Sequence, residues 1–145
     1  FEAHYRVHYK DLTKPYEGIM EALKGLKSKG YKLAVATNKI NDVANQLVEE
    51  LFPNIFDYIQ GAEDGVSPKP SNDIVNIIIN KLNISSKEEV VYVGDTYVDY
   101  MTAKNSNLDV LMLTYGYRTI EELNKVIKEK VMYIHNPLEL LNVLK

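Results

Sequence analysis

Apolar residues recur along this chain in two alternating rhythms. Ile19, Ala22, Leu23 and Leu26 lie at helical spacing. That stripe predicts an amphipathic helix, opened by Thr13-Lys14-Pro15 and closed at Gly30. Tyr31 to Ala36 follows a different pattern, because Leu33-Ala34-Val35-Ala36 is a continuous apolar run. Such a run predicts a strand buried on both faces, and it stops at Thr37-Asn38-Lys39. The next helix places Val43, Ala44, Leu47 and Leu51 on its inner face and ends before Pro53-Asn54. Ile55 to Gly61 predicts a weaker strand, and Ala62 to Pro70 a polar loop. Ser71 then caps a helix whose face is Ile74, Val75, Ile78 and Leu82.

The stretch Val90-Val91-Tyr92-Val93 predicts a short, deeply buried strand. Gly94-Asp95-Thr96 turns the chain into a helix that starts near Tyr97, is lined by Val98, Met101 and Thr102, and ends near Asn107. Asparagine is a suitable left-handed residue at such an end. Val110 to Leu113 is a further strand, and Thr119 with Glu122 forms a capping box for a helix striped by Ile120, Leu123, Val126 and Ile127. Val131 to Ile134 is the last strand. Asn136 caps and Pro137 opens a final helix bearing Leu138, Leu141 and Leu144. At the other end, Phe1, Tyr5 and Tyr9 suggest the close of a helix. His4 and His8 share a neighbouring line, but no third ligand lies near them in sequence, so they read as surface residues. An amphipathic element without a start signal reads as cut, and the chain is expected to be a piece of a longer protein.

Helix alternates with strand five times. That argues for an α/β fold with a parallel sheet, helices on both faces and right-handed crossovers. Ligands in such sheets bind beyond the carboxyl ends of the strands. Thr37, Lys69 and Asp95 all follow predicted strands, so they are expected to meet on one rim.

Composition narrows the function. At 145 residues the chain holds one domain with a real core. A net charge of −3 makes no electrostatic case for nucleic acid or an anionic membrane. The apolar run Ile74 to Ile79 is interrupted at Asn76 and ended by Asn80, well short of a membrane span. The opening FEAHYRVHYKD is too polar for a signal peptide. The absence of cysteine excludes disulfides, thiolate catalysis and thiolate zinc sites, and fits a cytoplasmic location. No glycine-rich fingerprint follows any strand, which argues against a dinucleotide-binding domain.

A hydroxyl, an ammonium and two carboxylates on one rim suit a phosphate with a magnesium ion. Mg²⁺ is commonly held by one or two carboxylates together with water and phosphate oxygens. Thr37 is placed to hydrogen-bond a phosphate oxygen, Asn38 to donate to it from its side chain or backbone, and Lys69 to neutralise charge on the phosphoryl group. Asp95 is a candidate metal ligand, and Asp99, four residues on, either adds a ligand or orients Lys69. Each has a plainer alternative: a cap for Thr37 and for Asp95, a solvated loop lysine for Lys69, and a favourable helix-end charge for Asp99. Glu63 and Asp64 read as solvent-facing loop acids, and Tyr97, Tyr100, Tyr115 and Tyr117 as rim packing or substrate contacts.

These motifs together resemble the haloacid dehalogenase superfamily, and within it the phosphoglycolate-phosphatase-like branch. Leu33-Ala34-Val35-Ala36-Thr37-Asn38-Lys39 is similar to its second motif, Pro68-Lys69-Pro70 to its third, and Gly94-Asp95-Thr96 with Asp99 to its fourth. Softer similarities are Pro15-Tyr16-Glu17-Gly18, Tyr115-Gly116-Tyr117 and Asn136-Pro137-Leu138-Glu139-Leu140. Asn107 stands where a glycine is usual and Asn72 where a second proline is common. The resemblance implies a Rossmann-like core over 15–145, preceded over 1–14 by the end of a cap or linker helix. It implies a Mg²⁺-dependent phosphomonoester hydrolase acting on a small phosphorylated metabolite through an aspartyl-phosphate.

One departure is larger. Family members open with a strand ending in Asp-x-Asp, whose first aspartate attacks phosphorus. No two aspartates here lie two apart; Asp11, Asp42, Asp57, Asp64, Asp73 and Asp109 stand alone. By the family pattern the missing strand lies between the one ending at Thr37 and the one ending at Asp95, so two buried edges are expected where it belongs. The chain by itself is expected to be inactive. The alternative is a non-catalytic relative that binds a phosphorylated ligand or a partner protein.

Overall fold

The computed structural model describes residues 18–114, 120–127 and 129–144. Helices and strands alternate in the order α1 (Ile19–Ser28), β1 (Ala34–Ile40), α2 (Asn41–Leu51), β2 (Tyr58–Ala62), α3 (Asp73–Lys81), β3 (Val91–Gly94), α4 (Tyr97–Asn105), β4 (Asp109–Leu113), α5 (Ile120–Val126), β5 (Met132–Ile134) and α6 (Glu139–Val143). A short 3₁₀ turn, Lys87–Glu89, leads into β3. All three strand pairings, β1 with β2, β3 with β4 and β4 with β5, are parallel, as the helix–strand alternation predicts. No described helix is long and apolar enough to cross a membrane. Residues Phe1 to Lys10, the opening Thr13 to Pro15, Tyr115 to Tyr117 and the Thr119 cap lie outside the described residues.

The sheet is in two parts. β1 and β2 form one, and β3, β4 and β5 the other. Between β1 and β3 lies a cavity of about 500 Å³, lined from one side by Leu33, Ala34 and Ala36 and from the other by Val91, Tyr92 and Val93. This is where the family pattern puts its opening strand. The two parts are held at the seam by two apolar clusters. Ala36 packs with Ile74, Val75, Tyr92, Ala103 and Leu108. Tyr31 and Leu33 join Leu26, Leu111, Ile134 and Leu140.

The predicted elements are all present among the described residues, with shifted edges and some rotated faces. β1 starts at Ala34 and runs on to Ile40; the expected stop at Thr37 is a break in its pairing, which jumps from Ala36 opposite Gln60 to Ile40 opposite Ala62. In α2 the inward residues are Ala44 and Val48, whereas Val43 is half exposed. The helix follows Ile40 without a connecting loop, and the Asn41 side chain accepts the Gly61 N–H, which sets this rotation. In α4 Asp99, Tyr100, Thr102 and Ala103 are buried while Val98 points out. Successive helical residues are rotated by about 100°, so turning Asp99 inward carries Val98 to solvent. In α5 Leu123 is buried and Val126 exposed; in α6 Leu140 is buried, whereas Leu138 precedes the first helical residue and is exposed. Asn107 has φ 58, the left-handed geometry expected at the end of α4.

Candidate active site

The rim at the carboxyl ends of β1 and β3 is built from short segments that leave each strand. Gly94 ends β3, and only glycine fits there. A side-chain carbon at that position would overlap Asp99, coming within 2.7 Å of its Cγ. The next turn is a reciprocal cap. The Thr96 hydroxyl accepts the Asp99 N–H at 3.2 Å, and Asp99 Oδ2 accepts the Thr96 N–H at 3.3 Å. Thr96, not Asp95, therefore caps α4. Its spacing, Thr-x-x-Asp, is the sequence signal that identifies the cap.

Relieved of that task, Asp95 sits fully buried at the turn, and its backbone N–H donates to Asp99 Oδ2 at 3.1 Å. Asp99, also fully buried, accepts five hydrogen bonds. Oδ1 takes the Lys69 ammonium at 2.7 Å and the Tyr92 hydroxyl at 3.0 Å. Oδ2 takes the Asp95 and Thr96 N–H groups and, at 3.1 Å, the Thr96 hydroxyl. Burial raises the Asp99 carboxyl's pKa, but the Lys69 charge and hydrogen bond and the Asp95 N–H outweigh it and hold it well below the ordinary carboxylate range.

Lys69 reaches this carboxylate from the other part of the sheet. It is 4% exposed, so it is no solvated loop lysine. Its ammonium also donates to the Ala36 carbonyl on β1 and to the Tyr92 hydroxyl on β3, each at 3.2 Å. Its backbone is clamped by Asn38. Asn38 Oδ1 accepts the Lys69 N–H at 2.8 Å, and Asn38 Nδ2 donates to the Lys69 carbonyl at 3.2 Å. The side-chain amide, one of the two Asn38 donors expected to meet a phosphate, is thus engaged in holding the lysine loop. Thr37, fully buried beside Ala36, accepts the Lys39 N–H on its hydroxyl at 3.1 Å. Glu63 and Asp64 lie exposed, as expected of loop acids.

The structure thus joins Lys69, Asp99 and Asp95 in one hydrogen-bonded cluster and ties Asn38 to it. Thr37 adjoins it through Ala36. Tyr92 belongs to the cluster too, although sequence reasoning treats it only as strand core; an inward tyrosine at a strand's rim end, one residue from the Gly-Asp turn, is the available signal. Carboxylate oxygens are hard donors that suit Mg²⁺. Both Asp99 oxygens accept from protein donors, Lys69 among them, which leaves Asp95 the stronger candidate metal ligand of the two. Among the described residues no third acid or histidine joins them to complete a metal-binding group.

Comparison with known proteins places the chain in a family. Residues 1–113 match the family model described as haloacid dehalogenase-like hydrolase. Pyrophosphatase PpaX of Halalkalibacterium halodurans is 32% identical over 120 residues, covering 81% of this chain and 55% of that protein. Phosphoglycolate phosphatase of Aquifex aeolicus is 33% identical over 118 residues, with 81% and 55% covered. Among solved structures, a protein of Lactobacillus delbrueckii subsp. bulgaricus, provisionally named a phosphoglycolate phosphatase, superposes with a TM-score of 0.86 at 33% identity, covering 99% of this chain and 59% of that one. The chain therefore spans little more than half the length of these relatives.

Proposed function

The chain belongs to the haloacid dehalogenase-like hydrolases, and from that premise we propose that it forms the phosphate- and metal-facing part of a Mg²⁺-dependent phosphomonoester hydrolase. The observation that carries this reading is the buried Lys69–Asp99 pair, 2.7 Å apart, set directly against Asp95 at the carboxyl end of β3. A buried ammonium aimed by a carboxylate is a preorganised charge that needs no rearrangement when negative charge grows on a phosphoryl group. Thr37 provides a hydroxyl to a phosphate oxygen, and Asp95 holds the metal. Magnesium, when bound, supplies further positive charge to the phosphoryl oxygens.

The attacking carboxylate comes from outside the described residues, as an aspartate forming an aspartyl-phosphate. Two facts support this. No third carboxylate stands with Asp95 and Asp99 among the described residues, and the cavity between β1 and β3 leaves space for a strand that would carry one to the same rim. The relatives' names, phosphoglycolate phosphatase and pyrophosphatase, point to small phosphorylated substrates such as phosphoglycolate.

The test is hydrolysis of p-nitrophenyl phosphate by the gene's whole product. Phosphate release is expected with Mg²⁺ and is expected to vanish with EDTA or with Asp95→Asn. Turnover that persists in EDTA would refute the role of Asp95.

A further inference from the structure

We propose that Tyr92 is a positioning residue for Lys69: its hydroxyl sits between the ammonium and Asp99 and fixes the direction in which the charge is presented. The inference deepens the hydrolase reading and rests on it for its kinetic consequence, but not for its structural one.

Packing alone does not ask for a hydroxyl at this position. Tyr92 is 7% exposed and its ring packs with Ala36, Ile74, Val75, Ala103 and Leu108. A phenylalanine fills the same space. A buried hydroxyl is costly unless it is hydrogen-bonded, and the Tyr92 hydroxyl bonds both members of the charged pair: 3.0 Å to Asp99 Oδ1 and 3.2 Å to Lys69 Nζ. The direction of both is forced. An ionised carboxylate only accepts and an ammonium only donates. The hydroxyl must therefore donate to Asp99 and offer its lone pair to Lys69.

Among the described residues, that arrangement gives the ammonium acceptors on three different elements. Ala36 O lies on β1, the Tyr92 hydroxyl on β3 and Asp99 Oδ1 on α4. Lysine has a flexible four-carbon stem, and its ammonium is a point charge without the built-in direction of a guanidinium. One carboxylate holds such a charge at a distance but leaves it free to swing around the oxygen. Three non-collinear acceptors remove that freedom. Tyr92 is the only neutral side chain among them, so it steers the charge without cancelling it.

The experiment is Tyr92→Phe, which keeps the ring, with Tyr100→Phe as the control. Tyr100 is likewise buried but packs with Met112, Leu123 and Ile127. In the chain labelled with ¹⁵N-lysine, Tyr92→Phe is expected to shift the Lys69 ammonium resonance and to speed its hydrogen exchange several-fold; Tyr100→Phe is expected to leave both unchanged. In the whole gene product, Tyr92→Phe is expected to lower kcat about tenfold with KM little altered, the mark of a lost contribution to the transition state. An unchanged Lys69 resonance and exchange rate, or the same change with Tyr100→Phe, would overturn the proposal. So would a raised KM at constant kcat. If the unaltered product hydrolyses no phosphomonoester, the hydrolase reading fails, and the resonance of Lys69 still decides the role of Tyr92.

Discussion

The two parts of the sheet divide the chemistry unequally. The β1–β2 part supplies the hydroxyl of Thr37, the amide of Asn38 and, from the loop after β2, the positive charge of Lys69. The β3–β5 part supplies both carboxylates and Tyr92. Each part has an apolar cluster that extends away from the seam: Ile19, Leu23, Val35, Ala44, Val48, Phe52, Ile55 and Ile59 in the first, and Tyr100, Met112, Leu123 and Ile127 in the second. What differs is how polar groups are used. Around β1 and β2, charged contacts stay near the surface, as in Lys27–Asp57 at 3.4 Å with each side chain about one-third exposed. At the seam the Lys69–Asp99 pair is buried and tied to three elements. The lesson is that assembling the site and joining the parts depend on the same few bonds.

The comparison breaks most sharply at Lys69→Met. The substitution keeps the length of the side chain but leaves the Asp99 carboxylate buried without its counter-charge. Losing one partner of a buried pair costs about 3–5 kcal/mol, and urea unfolding of the purified chain should show a loss of that size. Adding Asp99→Asn removes the stranded charge, so the double variant should be more stable than the two single losses combined would allow.

Gly94→Ala attacks the same seam by crowding. The new carbon runs into Asp99, so either the β3 turn or α4 must move. An overpacked site of this kind costs about 1–3 kcal/mol, read from the thermal midpoint. Asp99 also predicts a dependence on pH. Its carboxyl titrates below the ordinary 3.8 in the folded state. As pH falls below that ordinary value, the unfolded chain takes up the proton first, so stability present above it is lost on the acid side. Urea midpoints measured from pH 6 to pH 3 in EDTA should fall less steeply in Asp99→Asn.

Asn38→Ala tests the weaker link across the lysine loop. It removes two partly buried hydrogen bonds to the Lys69 backbone, each worth about 1 kcal/mol net. Local hydrogen exchange at Lys69 and Ser71 should rise more than in β4. The smallest effect belongs to Lys27→Met at the exposed pair, about 0.5 kcal/mol or less. A loss as large as that of Lys69→Met would erase the contrast between the surface pair and the seam.

Much of the fold was legible because it is written in local periods. The stripe Ile19, Ala22, Leu23, Leu26 is the buried face of α1, and Asn107 takes its left-handed turn. Only Val43 and Val98 turn outward from the faces expected for α2 and α4; Leu47, Leu51 and Met101 pack against apolar clusters and Thr102 is buried, and one reason covers both helices. Their rotation is set by the first residues, Asn41 held by Gly61 and Asp99 held by the Thr96 cap, while Val43 and Val98 are apolar enough to mimic an inner position. At the site, the residue types and their order were visible. The partner of each was not.

The sequence by itself determined the order of helices and strands, the parallel sheet they imply, and the placement of Thr37, Lys69 and Asp95 after strands, because these follow from spacing along the chain. Only the tertiary structure decided that Asn38 clamps a backbone, that Asp99 serves Lys69 and that Tyr92 joins them. Asn38 and Lys69 lie 31 positions apart, and Lys69 and Asp99 30. Contacts over that distance depend on how the layers pack and how each helix is turned, and neither rotation nor packing is encoded in the period of a single segment.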